Sequence, residues 1–266
     1  MQMENKRLFF AFDVASPWPD EMPSGRILLE QDRHMTVAFL GNAHLEELKS
    51  LLDSFPGVPW PLGISGIFDR PIFLPHRAPN VAAWHIHWFE GEEPFLRFQK
   101  EIVAWLKERG FQPKDHGGEF LSHVTIARKP FFIHEWKLAF AKRPLFLSNL
   151  QLCETLGSSR YRVCWSRPLL APFEEKEHTA DIAFIIRGVS FQNVHLHAQL
   201  ALSFHFPPLV GYFSFEEVRS LEEIVASLNA IIGKADQEIG SPFKAVSYHG
   251  NLKGNEILEW EMIVDV

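Results

Sequence analysis

Residues 34–41, His-Met-Thr-Val-Ala-Phe-Leu-Gly, are echoed at residues 123–128 by His-Val-Thr-Ile-Ala-Arg. Both segments are short, β-branched or aromatic, and bounded by turn or charged residues, which predicts a strand for each. Alternate side chains of a strand share a face, so His34 and Thr36 stand side by side, as do His123 and Thr125. The fold has to accommodate two such strands. If it brings them together, one groove gains two imidazoles and two hydroxyls.

Further strands are expected at Arg7–Val14, Val81–Trp88, Leu150–Glu154 and Tyr161–Trp165. Leu45, Leu48, Leu51, Leu52 and Phe55 form a helical apolar stripe, with Asn42 as the expected cap. Phe95, Phe98, Ile102, Trp105 and Leu106 form a second, stopping at Gly110. Ser166-Arg-Pro-Leu-Leu-Ala-Pro172 reads as a short, stiff connection. Beyond it come a strand at His178–Arg187, a helix over about Ser190–Ser203, and a helix from Ser214. Ser214-x-x-Glu217 is a capping box, and Val218, Leu221, Ile224, Val225, Leu228 and Ile231 line one face. Strands at Lys244–His249 and Leu258–Val266 close the chain. The fold class expected is α+β, with a first domain over 1–168 and a small second α+β domain over 174–266.

Composition narrows the function. The 266 residues are 46% hydrophobic and 22% charged, too apolar for disorder and too evenly charged for a nucleic-acid coat. The formal net charge of −7 argues against non-specific DNA binding while leaving room for a local basic groove. No run approaches the ~18 apolar residues of a membrane span, and Met1 leads into Gln2 and Glu4 rather than a secretory leader. No membrane association is therefore expected. With only Cys153 and Cys164, neither a disulfide scaffold nor a four-Cys zinc site can form, and the cytoplasm is the expected compartment. Nucleotide-binding glycine loops and a hydrolase elbow have no match. His85-Ile-His87 shares a strand face but lacks a third ligand, so it reads as a solvated or packed strand. His195 and His197 lie on a helix where positions two apart diverge.

Two imidazoles and two hydroxyls suit metal-free cleavage of a phosphodiester. A neutral imidazole takes a proton while a protonated one gives a proton to the leaving oxygen. The hydroxyls of Thr36 and Thr125 donate to the phosphoryl oxygens as charge builds on them, and Arg128 adds a fixed positive charge.

With Arg7-Leu-Phe-Phe-Ala-Phe12, Ile67-Phe68, Trp84, Leu152-Cys-Glu-Thr155 and Tyr161, these motifs resemble the two-histidine phosphoesterases over residues 6–168. The likeness is to the LigT-like RNA 2′,3′-cyclic phosphodiesterases, historically called 2′–5′ RNA ligases. It implies two similar lobes built on antiparallel sheets, each giving one motif to a central groove. His34 would be the general acid and His123 the general base, with Thr36 and Thr125 gripping phosphate. The substrate would be an RNA 3′ end carrying a 2′,3′-cyclic phosphate, opened to a 2′-phosphate, and no cofactor is expected for this step. Glu154-Thr155 departs from the Glu-Ser frequent in the family.

The tail carries Glu177-His-Thr-Ala-Asp-Ile182, Phe243-Lys-Ala-Val-Ser-Tyr-His249 and Ile263-Val-Asp-Val266, which resemble archease. Archeases assist RtcB-type RNA ligases and bind a divalent metal. The likeness implies that Asp181, Asp265 and Val266 offer oxygens to a cation such as Ca²⁺ or Mg²⁺. Lys244 would be a functional basic residue, and His178 would orient Asp181. Readings that stay open are a 2′–5′ RNA ligase, a phosphodiesterase for a small cyclic nucleotide, and a ligase cofactor whose first domain only binds RNA ends.

Overall fold

A computed structural model describes residues 5–114, 120–177, 181–247, 252–254 and 256–266. The fold is mixed α and β with antiparallel sheets. The chain runs β1 (Asn5–Ala15), β2 (Arg26–Ile27), β3 (His34–His44), α1 (Leu45–Leu51), β4 (Ser65–Leu74), β5 (Val81–Trp88), α2 (Glu93–Glu108), β6 (His123–Arg128), α3 (Ile133–Leu138), β7 (Arg143–Gly157) and β8 (Arg160–Pro168). These strands form one eight-stranded sheet in the order β2-β6-β5-β4-β7-β1-β3, with β8 paired to β7. The long β7 is shared: Arg143–Phe146 pair with β4, Phe146–Glu154 with β1, and Asn149–Gly157 with β8.

Strand alternation sorts the side chains of this sheet. On β1, Leu8, Phe10, Phe12 and Val14 face the helices and join the main core with Phe95, Phe98 and Ile102 of α2. Phe9 and Ala11 face the other way, in a separate cluster with Cys153, Phe39 and Tyr161. The sheet is bent far enough that β3, at one end of the strand order, lies close to β6, next to the last strand at the other end.

Several expectations need correction. Asn42 caps no helix: it pairs with Arg7 in the ladder, and β3 runs straight into α1 at His44. The apolar stripe is split between α1 and a 3₁₀ turn at Leu52–Ser54. Strand β4 was not anticipated because Pro71 interrupts its pattern. Pro71 lies beyond Phe68, where pairing with β7 stops, so its missing N–H costs no ladder bond on that side. Strand β7 starts well before Leu150. The capping box belongs to Ser220 and Glu223, whose side chains accept from Glu223 N and Arg219 N. Ser214 is held away from helix by Gln199, whose amide accepts from Ser214 N at 2.6 Å and donates to Ser214 O at 2.9 Å.

The second sheet holds β9 (Phe173–Lys176), β10 (Ile182–Gly188), β11 (Ala245–Ser247) and β12 (Leu258–Asp265), in the order β11-β12-β10-β9. Helices α4 (Phe191–His205) and α5 (Leu221–Ile239) contribute to its core. Ser190 caps α4 by accepting from Asn193 N at 3.1 Å. Gly188 is required where β10 meets α4, since a Cβ there would stand 2.6 Å from Val194 N. No helix among the described residues is long and apolar enough to cross a membrane.

The two sheets share a polar contact. His197 Nδ1 donates to Arg187 O at 2.6 Å, which leaves Nε2 to accept from the Ser65 hydroxyl at 3.1 Å. Phe146 adds ring contacts to Phe173 and Phe204. Burial pushes the pKa of His197 down from 6.5 to about 4, and that of His195 likewise. Both are therefore neutral in the folded protein at pH 7, while the unfolded chain takes up protons first on acidification. Stability should be full above pH 6.5 and decline as pH falls toward 4. Thermal unfolding across that window measures this, and a flat Tm would contradict it. Replacing His197 with Ala should cost about 1–3 kcal/mol by leaving two buried polar partners unpaired.

Candidate active site

His34 and His123 open their strands in the same manner. His34 Nδ1 donates to the carbonyl of Asp32 at 2.9 Å, and His123 Nδ1 to that of Leu121 at 2.7 Å. A carbonyl partner fixes the hydrogen on Nδ1, so Nε2 is the nitrogen at which each ring can exchange a proton. Thr36 and Thr125 follow on the same strand faces. The residues between them, Met35 and Val124, are fully buried on the helix side.

Each motif then contains a β-bulge. Opposite β1, Ala11 pairs with Thr36 but Phe10 pairs with Ala38, leaving Val37 as the extra residue. Opposite β5, Ala83 pairs with Thr125 but Ala82 pairs with Ala127, leaving Ile126. A bulge resets the alternation of faces. The residue three beyond each threonine therefore returns to the histidine face: Arg128 in one motif, Phe39 in the other.

The two strands are near enough for their charges to interact. Burial is the main cause that drives the pKa of His34 from 6.5 to about 4; the Asp32 carbonyl opposes this, His123 and Arg128 add to it, and Asp13 opposes it. Asp13 pairs with His34 in register and accepts from Ser148 Oγ at 2.8 Å and Asn149 Nδ2 at 3.2 Å. The imidazole of His34 lies 4.8 Å from the Phe9 ring and 4.7 Å, edge-on, from that of Tyr161. Beneath it Asp32 is buried, accepting from Tyr161 N at 3.1 Å and pairing with Arg160 at 3.1 Å. The site thus presents a neutral imidazole, a second imidazole, two hydroxyls and one guanidinium, a set suited to proton transfer around a bound phosphate.

Sequence reasoning missed some of the floor. His85 pairs directly with His123 across β5 and β6, and its Nδ1 lies 2.7 Å from Asp69 Oδ1. Ile86 N donates to Ser122 O, so the His85–His123 pair is a non-hydrogen-bonded one, in which side chains approach most closely. The His85-Ile-His87 spacing signalled a shared strand face, but Asp69 sits in a bulge of β4 that no pattern announced. Phe9, Tyr161 and Asp13 carried no chemical signal of their own.

The tail residues gather at one end of the second sheet. Ile182 pairs with Val264, so Asp181 and Asp265 lie at the same sheet end. Lys244 Nζ donates to Val266 O at 2.6 Å and stands 3.6 Å from Asp265 Oδ1. His178 lies outside the described residues. Two carboxylates and one carbonyl would leave much of the shell of a Ca²⁺ or Mg²⁺ ion to water, and the Lys244 ammonium already sits beside Asp265 and Val266. Among the described residues, no group of three or more His, Cys, Asp or Glu side chains is assembled to hold a metal ion.

No protein-family model matches the chain, and no curated protein matches it. Among solved structures it is similar to E. coli LigT in its apo form, at 17% identity over 63% of this chain and 99% of that one, with a TM-score of 0.45. TT0787 of Thermus thermophilus aligns at 18% identity over 62% of this chain and 98% of that one, with a TM-score of 0.44. A structure described as a phosphoesterase aligns at 17% identity over 63% and 99%, also at 0.44.

Proposed function

We propose that the groove between β3 and β6 hydrolyses the 2′,3′-cyclic phosphate at RNA 3′ ends to a 2′-phosphate. The observation that carries this reading is the matched pair of imidazoles, each fixed through Nδ1 to the carbonyl two residues before it and followed two residues later by a threonine. Phosphate is held by the hydroxyls of Thr36 and Thr125 and by Arg128. His123 Nε2 takes a proton from water as the water oxygen bonds to phosphorus. His34 Nε2 gives its proton to the 3′ oxygen as the P–O3′ bond breaks. His34 is neutral in the free protein, so it gains that proton as the anion arrives, because a nearby negative charge favours imidazolium. The product keeps its phosphate on the 2′ oxygen and has a free 3′ hydroxyl; solvent exchange resets both rings.

We further propose that the second sheet is an archease-like module that docks to an RtcB-type RNA ligase. A joining assay tests this: a ligase rate unchanged by the protein would count against it.

An RNA ending in a 2′,3′-cyclic phosphate should be turned over in excess EDTA, and His34→Ala or His123→Ala should each lower kcat by about 10²–10⁴-fold. Tight binding without turnover would favour an idle clamp, and a near-normal rate in either variant would remove that histidine from the mechanism. Followed by NMR, the ring of His34 should titrate near pH 4 in the free protein, as its burial dictates, and move upward when a nucleoside 2′-phosphate is added. A ring titrating near 6.5 without ligand would overturn the assignment of a half-buried, neutral His34.

A further inference from the structure

The floor of the groove beside His123 holds a tethered imidazole that neither proton transfer involves. His85 pairs with His123 across β5 and β6 in a non-hydrogen-bonded register, so the two side chains stand next to each other on the histidine face. It is only 7% exposed, too covered to meet a substrate itself. Its Nδ1 donates to Asp69 Oδ1 at 2.7 Å, and the other carboxylate oxygen of Asp69 accepts from Arg70 Nη1 at 2.6 Å. Asp69 reaches His85 because it is the extra residue of a bulge: Phe68 pairs with Ile86 and Arg70 with His85. Strand β5 also grips the residue before His123 twice, since Ile86 N donates to Ser122 O at 2.9 Å and Trp88 Nε1 to Ser122 Oγ at 3.0 Å.

Each part of this arrangement costs stability. A bulge disrupts the ladder, and a buried imidazole needs a partner that an apolar side chain at position 85 would not need. Bulges concentrate beside active sites, where they re-aim a side chain. Arg70 answers the charge of Asp69, so what Asp69 passes to His85 is mainly position and little charge. We propose that Asp69 and His85 are positioning residues for His123: the carboxylate fixes the His85 ring, and that ring holds the His123 imidazole with Nε2 turned to the attacking water. The proposal rests on the hydrolytic reading of the groove and adds to it a pair of residues that act through His123.

Turnover of a nucleoside 2′,3′-cyclic phosphate is the test, with each variant assayed well below its own Tm. Asp69→Ala and His85→Leu should each lower kcat by about 10–100-fold, as expected when a reacting group is misplaced, and leave KM nearly unchanged. Asp69→Asn, whose amide oxygen still accepts from Nδ1, should keep most of the wild-type kcat. Should Asp69→Ala or His85→Leu fail to fold, the other decides together with Asp69→Asn. Leucine would replace a ring that merely fills the floor, so a near-normal kcat in His85→Leu would overturn the proposal. An Asp69→Asn variant as slow as Asp69→Ala would also overturn it, by showing that charge and not position acts, and so would losses confined to KM. If the wild type hydrolyses no cyclic phosphate, the hydrolytic reading fails by itself. The tether is then judged by NMR: the His123 ring should give one sharp set of signals in the wild type and a broadened or doubled set in Asp69→Ala, with the His34 ring unchanged. A His123 ring indifferent to Asp69→Ala would overturn the tether.

Discussion

Strands β3 and β6 are distant both in the chain and in the strand order, and they meet only because the sheet between them is bent. Each then departs from simple alternation immediately after its threonine. Without the extra residues Val37 and Ile126, Phe39 and Arg128 would turn toward the helices, where an arginine has no place and a further phenylalanine would crowd a filled core. The bulges separate two demands on one strand. Its buried side continues to feed the core, while its open side gains one more polar or aromatic group than a regular strand of that length could offer.

The two imidazoles share a covalent pattern but not their neighbours. His34 is enclosed by Phe9 and Tyr161 and feels positive charge from His123 and Arg128, so it is unprotonated before any anion arrives. His123 instead stands beside His85, which is tied to Asp69. Two copies of one motif thus stand in different surroundings.

Much of the groove was legible in the sequence because its logic is local. His-x-Thr on a strand places both groups on one face whatever the rest of the fold does, and the strands around them have strong β-branched and aromatic patterns. Phe39 carries no such signal, since only a bulge brings it round to the histidine face, and a bulge is a property of the pairing partner as much as of the strand itself. Strand β4 was hidden by Pro71, which is tolerated because pairing with β7 stops at Phe68. The displaced capping box has a similar origin. Ser214-x-x-Glu217 and Ser220-x-x-Glu223 are equivalent as local signals, and the choice between them is made by Gln199, a residue on a different helix.

Strand β7 gives its first residues to β4 and the remainder to β1 and β8, so the halves of the groove hang from opposite stretches of one continuous backbone. The gap between the imidazoles is consequently governed by how this spine curves around Phe146–Asn149 rather than by the loops at the rim. A family of such proteins could widen or tighten its jaws for differently sized ends by altering a few residues at that bend, with the proton-handling groups left untouched.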